Sequence, residues 1–174
     1  SQEKAGIIKK NTPIYIFEQN GNIIELIKKK SSKDSAPLNI IKSSDIDIFN
    51  SDNLGSEFKY RGLNIKLPLI GIHQVKNCVL AIDIVKFVLK SINEKIFNRA
   101  ISKVLWRGRM EKLSGGNIYY DVAHNYDGIK TLINTVKKIH PEKELIGLFC
   151  IKAEKNIELI CKLLKKHFIK VIIC

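Results

Sequence analysis

Apolar residues recur along this chain at two alternating periods. Ile14-Tyr15-Ile16-Phe17, entered through Thr12-Pro13, is a short apolar run that predicts a strand. Gly21-Asn22 then opens a stretch with Ile23, Ile24, Leu26 and Ile27 at helical spacing, closing in Lys28-Lys29-Lys30 with Lys33. Ala36-Pro37-Leu38-Asn39-Ile40-Ile41 predicts a second short strand. Lys42 to Asp52 is polar with Ile46, Ile48 and Phe49, which reads as a connecting loop holding a short strand. Period-two alternation in Glu57 to Tyr60 and Leu63 to Leu67, on either side of Arg61-Gly62, predicts a β-hairpin.

From Ile72 to about Ser91 the apolar positions include Val75, Val79, Ile82, Val85, Val88 and Leu89, a stripe so wide that the predicted helix should be largely buried. A further helix is expected from about Asn93 to Val104, leading to the turn-like Leu105-Trp106-Arg107-Gly108-Arg109. Beyond it the pattern changes. Met110 to Leu113 and Asn117 to Tyr120 read as paired strands around Gly115-Gly116. A helix to Ile139, a strand at Leu145 to Phe149, a helix containing Ile157, Ile160 and Leu164, and a strand at Val171 to Ile173 follow. Apolar strands alternating with amphipathic helices predict a parallel, doubly wound α/β sheet. The abrupt opening at Ser1 and the end on a strand look truncated at both termini, and the change of pattern places a domain boundary near Val104 to Gly108.

With 174 residues, 45% of them hydrophobic, the chain can bury a substantial core. Neither a membrane-spanning run nor a signal-peptide pattern is expected. Cys78, Cys150, Cys161 and Cys174 form no CxxC pair and fall mostly in apolar patterns, which predicts reduced core thiols. A formal net charge of +13 suits an anionic partner. The lysines are dispersed, and no aromatics interleave with the dense run at 28–30, so anionic small molecules fit better than nucleic acid.

Candidate chemistry gathers in four places. Tyr119-Tyr120-Asp121-Val122-Ala123-His124-Asn125 is a strand-turn-helix junction with an acid, an imidazole and an amide within five positions. There Asp121 and Asn125 can cap the following helix, or the three groups can serve as metal or ribose ligand, proton shuttle and backbone brace. Gly71-Ile72-His73-Gln74-Val75-Lys76-Asn77 sets His73, Gln74 and Asn77 on the first turn of a helix, whose positive dipole end attracts an anion or a polar ring. Arg107-Gly108-Arg109 suits bidentate phosphate contact or a charged linker. Glu3-Lys4 is unremarkable by composition. No GxxxxGK[ST] phosphate loop, GxGxxG, HExxH or GxSxG motif occurs.

In order along the chain, five segments together resemble one family. Glu3-Lys4-Ala5-Gly6-Ile7 is similar to its EKAGI segment, Ala36-Pro37-Leu38 to its APL element, and Leu69 to Asn77 to its LxGxHQxxN helix start. Trp106-Arg107-Gly108-Arg109 is similar to W-P-G-R and Asp121 to Asn125 to D-[GV]-A-H-N. The family is the folylpolyglutamate synthase and dihydrofolate synthase branch of the Mur ligase superfamily. The resemblance implies the end of a central ATPase domain over residues 1–104 and a truncated Rossmann-like C-terminal domain over 105–174, with nucleotide between them. It implies a cytoplasmic, monomeric, Mg2+-dependent ligase that activates a folate or dihydropteroate carboxylate with ATP as an acyl phosphate and joins it to L-glutamate.

Carried over by residue, the resemblance makes Lys4 a carbamylated lysine holding Mg2+, an ion that takes oxygen ligands. Asn77 contacts adenine, Arg109 the ATP phosphates, Asp121 the nucleotide, and His124 stands at the reaction cleft, where it orients groups or stabilises charge. The family's phosphate loop and most of its pterin site lie in an N-terminal part that this sequence does not include, so these residues alone are expected to bind nucleotide weakly and catalyse nothing. Arg107 stands where the family has proline, Tyr126 where it often has proline, and Ile151 to Asn156 matches a DKD-like stretch loosely. Two alternatives are a Mur-type ligase acting on peptidoglycan precursors and a non-catalytic basic module that binds nucleotides or polyanions.

Overall fold

A computed structural model describes residues 6–90, 93–114, 116–150 and 157–174. Lys4 and the Ile151 to Asn156 stretch lie outside the described residues. Strand β1 (Ile14–Phe17), helix α1 (Gly21–Lys33) and strand β2 (Leu38–Ile41) form a βαβ unit, with β1 and β2 parallel and in register from Ile14 against Leu38 to Phe17 against Ile41. Asn20 caps α1 by accepting from the Ile23 N–H, and Lys30 and Lys33 lie in its last turn, where a cation favours the dipole.

Strands β3 (Ile46–Asp52), β4 (Gly55–Tyr60) and β5 (Leu63–Leu67) form an antiparallel sheet in that order. The β4–β5 hairpin closes with two residues, Arg61 and Gly62, at φ 47° and 82°. Two positive φ values in a two-residue loop are the twist-matched hairpin turn. The expected loop at Lys42 to Asp52 is instead largely a seven-residue strand. Its apolar alternation is broken because the pairing with β4 shifts between Ile48 and Asn50, a bulge that leaves Phe49 exposed.

Helix α2 (Ile72–Leu89) lies against β1 and β4, and α3 (Glu94–Ile101) against β5. Val75, Val79 and Ile82 of α2 are buried with Phe17, Phe58 and Tyr60 in one core. The expectation of a largely buried helix is corrected. One stripe is buried, whereas Ile84, Phe87, Val88 and Leu89 are exposed. Asp83, also on the buried stripe, accepts from the Tyr60 hydroxyl at 2.9 Å through Oδ2, which pairs with the Arg61 guanidinium at 3.0 Å. The hairpin turn is thereby tied to α2. Burial, and next the Asp83 carboxylate, pushes the Tyr60 phenol up to about 12.

Strands β6 (Glu111–Lys112) and β7 (Tyr119–Tyr120) pair antiparallel, as the pattern predicts. Helix α4 (Tyr126–Ile139), strand β8 (Ile146–Phe149), helix α5 (Ile157–His167) and strand β9 (Lys170–Ile173) follow, with β8 and β9 parallel. Among the described residues β7 pairs with β6 and does not join the parallel pair, so the expected three-strand parallel run is reduced to two strands. Ile129, Ile133, Phe149, Ile160 and Leu164 form a second core. Phe149 and Phe168 meet edge-on there at 5.3 Å. All four cysteines are free, but Cys150, Cys161 and Cys174 are exposed and not core thiols. Burial pushes the remaining thiol, Cys78, up to about 11.

Arg61→Ala should cost about 2 kcal/mol in urea unfolding, because it strips a buried carboxylate of its charged partner. In alkaline titration the Tyr60 contribution to stability is complete below the ordinary tyrosine value of about 10 and is lost as pH rises through about 12. Ultraviolet absorbance should show a tyrosine ionising near 12 that is absent in Tyr60→Phe.

Candidate functional site

The junction after β7 is built around Asp121. Its Oδ2 accepts from the Met110 N–H at 2.9 Å and its Oδ1 from the Ala123 N–H at 2.8 Å. One carboxylate thus fastens the arginine turn to the end of β7 and shapes the turn that follows. Two further bonds close the same loop. The Val122 N–H donates to the Gly108 carbonyl at 2.9 Å, and the Gly108 N–H donates to Glu111 Oε2 at 2.9 Å. Gly108 is required twice over. Its φ is +71°, and a Cβ there would stand 2.7 Å from Val122 Cγ1. The turn continues through Met110, also at positive φ and almost fully buried.

Asn125 is the cap of α4, its Oδ1 accepting from the Gly128 N–H at 2.8 Å. His124 Nδ1 lies 3.0 Å from the Val122 carbonyl. A carbonyl only accepts, so Nδ1 is the donor in this contact and Nε2 is free of it. Arg109 and His124 are both exposed.

On the facing element, Gly71 starts α2 at φ +102°, with no side-chain cap on the helix. The His73 ring occupies the space over Gly71. A Cβ there would lie 2.7 Å from His73 Cε1 and 2.8 Å from Nδ1. Gln74 Nε2 lies 3.1 Å from His73 Nε2, and Asn77 Nδ2 donates to Gln74 Oε1 at 3.2 Å.

These elements enclose a cavity of about 250 Å³ lined by His73, Arg109, Asp121, His124, Asn125 and Asp127 among others. The first turns of α2 and α4 both border it, so two positive helix ends and the Arg109 guanidinium face one space together with the Asp121 and Asp127 carboxylates. His73 feels that charge. Burial lowers its pKa, Asp121 opposes this, and Arg109 adds to the lowering. A second cavity of about 210 Å³ lies on the other side of His73, toward Asp52 and Lys138.

The structure therefore gathers Arg109, Asp121 and His124 around one cavity. Asn77 does not line it but is linked to it through Gln74 and His73. His73 lines the cavity although its sequence context marks it only as one of three polar residues on a helix start, and Glu111, which holds the arginine turn, has no sequence signal of its own. Among the described residues no cluster of His, Cys, Asp and Glu could hold a metal ion, and no helix is long and apolar enough to cross a membrane.

No family model matches the chain. It is 27% identical over 165 residues to the dihydrofolate synthase/folylpolyglutamate synthase of Bacillus subtilis (strain 168), covering 88% of this chain and 38% of that protein. It is 28% identical over 154 residues to the folylpolyglutamate synthase of Lacticaseibacillus casei, covering 80% of this chain and 35% of that protein. A shorter match, 36% over 73 residues, reaches the UDP-N-acetylmuramoyl-L-alanyl-D-glutamate–L-lysine ligase of Enterococcus faecalis, covering 40% of this chain and 14% of that protein. A solved FPGS–AMPPCP–folate complex superposes with a TM-score of 0.84 at 22% identity, over 98% of this chain and 44% of that one. The chain thus spans well under half the length of the relatives it matches. It is similar to folylpolyglutamate and dihydrofolate synthases over nearly its whole length, with a Mur-ligase-like mixed α/β fold.

The charges around His73 make a prediction that needs no ligand. Asp121→Asn should lower the His73 pKa further and Arg109→Ala should raise it, as read from the His73 Cε1–H shift in an NMR pH titration. Asp121→Asn also sets an amide N–H₂ against a backbone N–H and should cost about 1–2 kcal/mol in thermal unfolding.

Proposed function

We propose that this chain is the nucleotide-facing portion of an ATP-dependent ligase that joins L-glutamate to a folate or dihydropteroate carboxylate through an acyl phosphate. The observation that carries the reading is the convergence of Arg109, the Asp121-braced turn, His124 and two helix starts on one cavity, in a chain similar to folylpolyglutamate synthases along nearly its whole length. The two separate cores support a division into lobes over residues 1–104 and 105–174, with nucleotide bound between them.

Each residue has a chemical part in this reading. Arg109 presents a planar guanidinium that pairs bidentately with phosphate oxygens. Asp121 holds that arginine turn at the cavity through the Met110 N–H and contacts the nucleotide from the C-terminal lobe. His124, with Nδ1 tied to the Val122 carbonyl, keeps Nε2 for orienting a reacting group or stabilising charge as the acyl phosphate is attacked. Asn77 gives one N–H to Gln74 and retains a carbonyl and a second N–H, the pair that matches the donor and acceptor on an adenine edge.

ATP supplies the phosphoryl group, and Mg2+ would screen its charge. Lys4, as a carbamate, would hold that ion. The described residues add no further donor set for it. The complete enzyme acts as a monomer in the cytoplasm, where ATP and glutamate are plentiful, and takes small molecules and not nucleic acid as partners. The match to the Enterococcus faecalis ligase favours one second reading, a ligase of peptidoglycan precursors using the same ATP chemistry.

ADP binding to the 174-residue chain, followed by calorimetry or NMR, should be weak and should fall about tenfold in Arg109→Ala, the loss expected of a charge-assisted contact. Failure of Arg109→Ala to change ADP affinity would overturn the phosphate assignment. The chain alone should form no glutamyl amide.

A further inference from the structure

His73, Gln74 and Asn77 form a hydrogen-bonded relay whose direction follows the protonation of the His73 ring. Gln74 is buried, at 6% exposure, and both of its polar atoms are engaged, Nε2 with His73 Nε2 at 3.1 Å and Oε1 with Asn77 Nδ2 at 3.2 Å. With the Gln74 N–H₂ turned to the ring, His73 Nε2 is the acceptor and the proton of the neutral ring sits on Nδ1, an atom buried without a partner. Gln74 then shows its carbonyl to Asn77, and Asn77 must show its N–H₂ to Gln74. What Asn77 offers outward is the remainder, a carbonyl and one N–H in a fixed order.

A proton on His73 Nε2 reverses every member of the relay. Nε2 then donates, Gln74 turns its carbonyl toward the ring, its N–H₂ faces Asn77, and Asn77 answers with its carbonyl. The outward edge of Asn77 is inverted. Adenine presents an exocyclic N–H donor beside a ring nitrogen acceptor, whereas hypoxanthine presents a carbonyl beside an N–H donor, so the two bases need opposite orders.

We propose that His73 is a specificity-determining positioning residue, selecting adenine by holding Gln74, and through it Asn77, in the orientation that an unprotonated Nε2 demands. The proposal rests on the nucleotide reading above. The groups facing His73 bias the proton. Asp121 and Arg109 act from the braced turn, Asp127 and His124 share the larger cavity, and Asp52 and Lys138 share the smaller one. Burial and Arg109 keep the ring neutral below the ordinary histidine range, against the pull of Asp121.

The experiment follows two signals in the 174-residue chain across the His73 titration. The side-chain N–H₂ resonances of Gln74 and Asn77 should shift together with the His73 ring, and in the same titration the preference for ATP over ITP should fall about tenfold as the ring is protonated. Gln74→Glu places a carboxylate that accepts from both neighbours, so Asn77 stays in its adenine orientation and the ATP/ITP ratio should no longer depend on pH. Amide resonances indifferent to His73, or an ATP/ITP ratio that is constant in the parent chain, overturn the relay. Absence of binding by either nucleotide, with the amide resonances still coupled to His73, overturns the nucleotide reading and leaves the relay without its assigned role.

Discussion

Burial of one stripe of α2 is the constraint on which the rest of the structure depends. Val75, Val79 and Ile82 enter the core between the parallel β1–β2 pair and the antiparallel hairpin sheet, and burying each contributes roughly 1.5–3 kcal/mol. That stripe sets the helix axis, and the axis sets where the first turn stands. Asp83 fixes the rotation as well, because its carboxylate is held by Tyr60 and Arg61 from the hairpin. A helix held this firmly can present His73 and Asn77 from an uncapped first turn, with Gly71 making room for the imidazole. The cost of positive φ at Gly71 is small for glycine and would be borne by any other residue.

The opposite wall is organised differently. Its strands are two residues long, too short to hold a site by ladder bonds alone. Rigidity there comes from Asp121, whose two oxygens take backbone N–H groups from both the arginine turn and the junction, and from Asn125 capping α4. A carboxylate with a structural duty at the edge of a cavity also colours that cavity electrically, which is how Asp121 reaches His73 without touching it. Positioning and electrostatics are therefore inseparable at this residue.

Much of this was legible in the order of residues. The βαβ start, the Arg61-Gly62 hairpin, α2, the paired short strands and the β8–α5–β9 unit follow from periodicity and turn residues, because local hydrogen bonding and one buried face suffice to specify them. Where reading failed, a non-local term had intervened. The bulge at Phe49 broke the alternation of β3, which exists because β4 pairs with it. The exposure of Ile84, Phe87 and Val88 depends on which elements cover α2, a matter that the apolar count of a helix cannot decide. The exposed cysteines misled for the same reason.

By itself the sequence determined which elements form, and its five ordered motifs pointed to a folate-type ligase. Only the tertiary structure decided that the arginine turn, the Asp121 junction and the first turn of α2 border one cavity, since the α2 turn lies far from the other two in the chain and meets them through packing. It alone linked Asn77 to His73 through Gln74. Three residues at the start of one helix can point their polar atoms in several ways, and burial removes water as an alternative partner, so that their donor and acceptor roles become coupled.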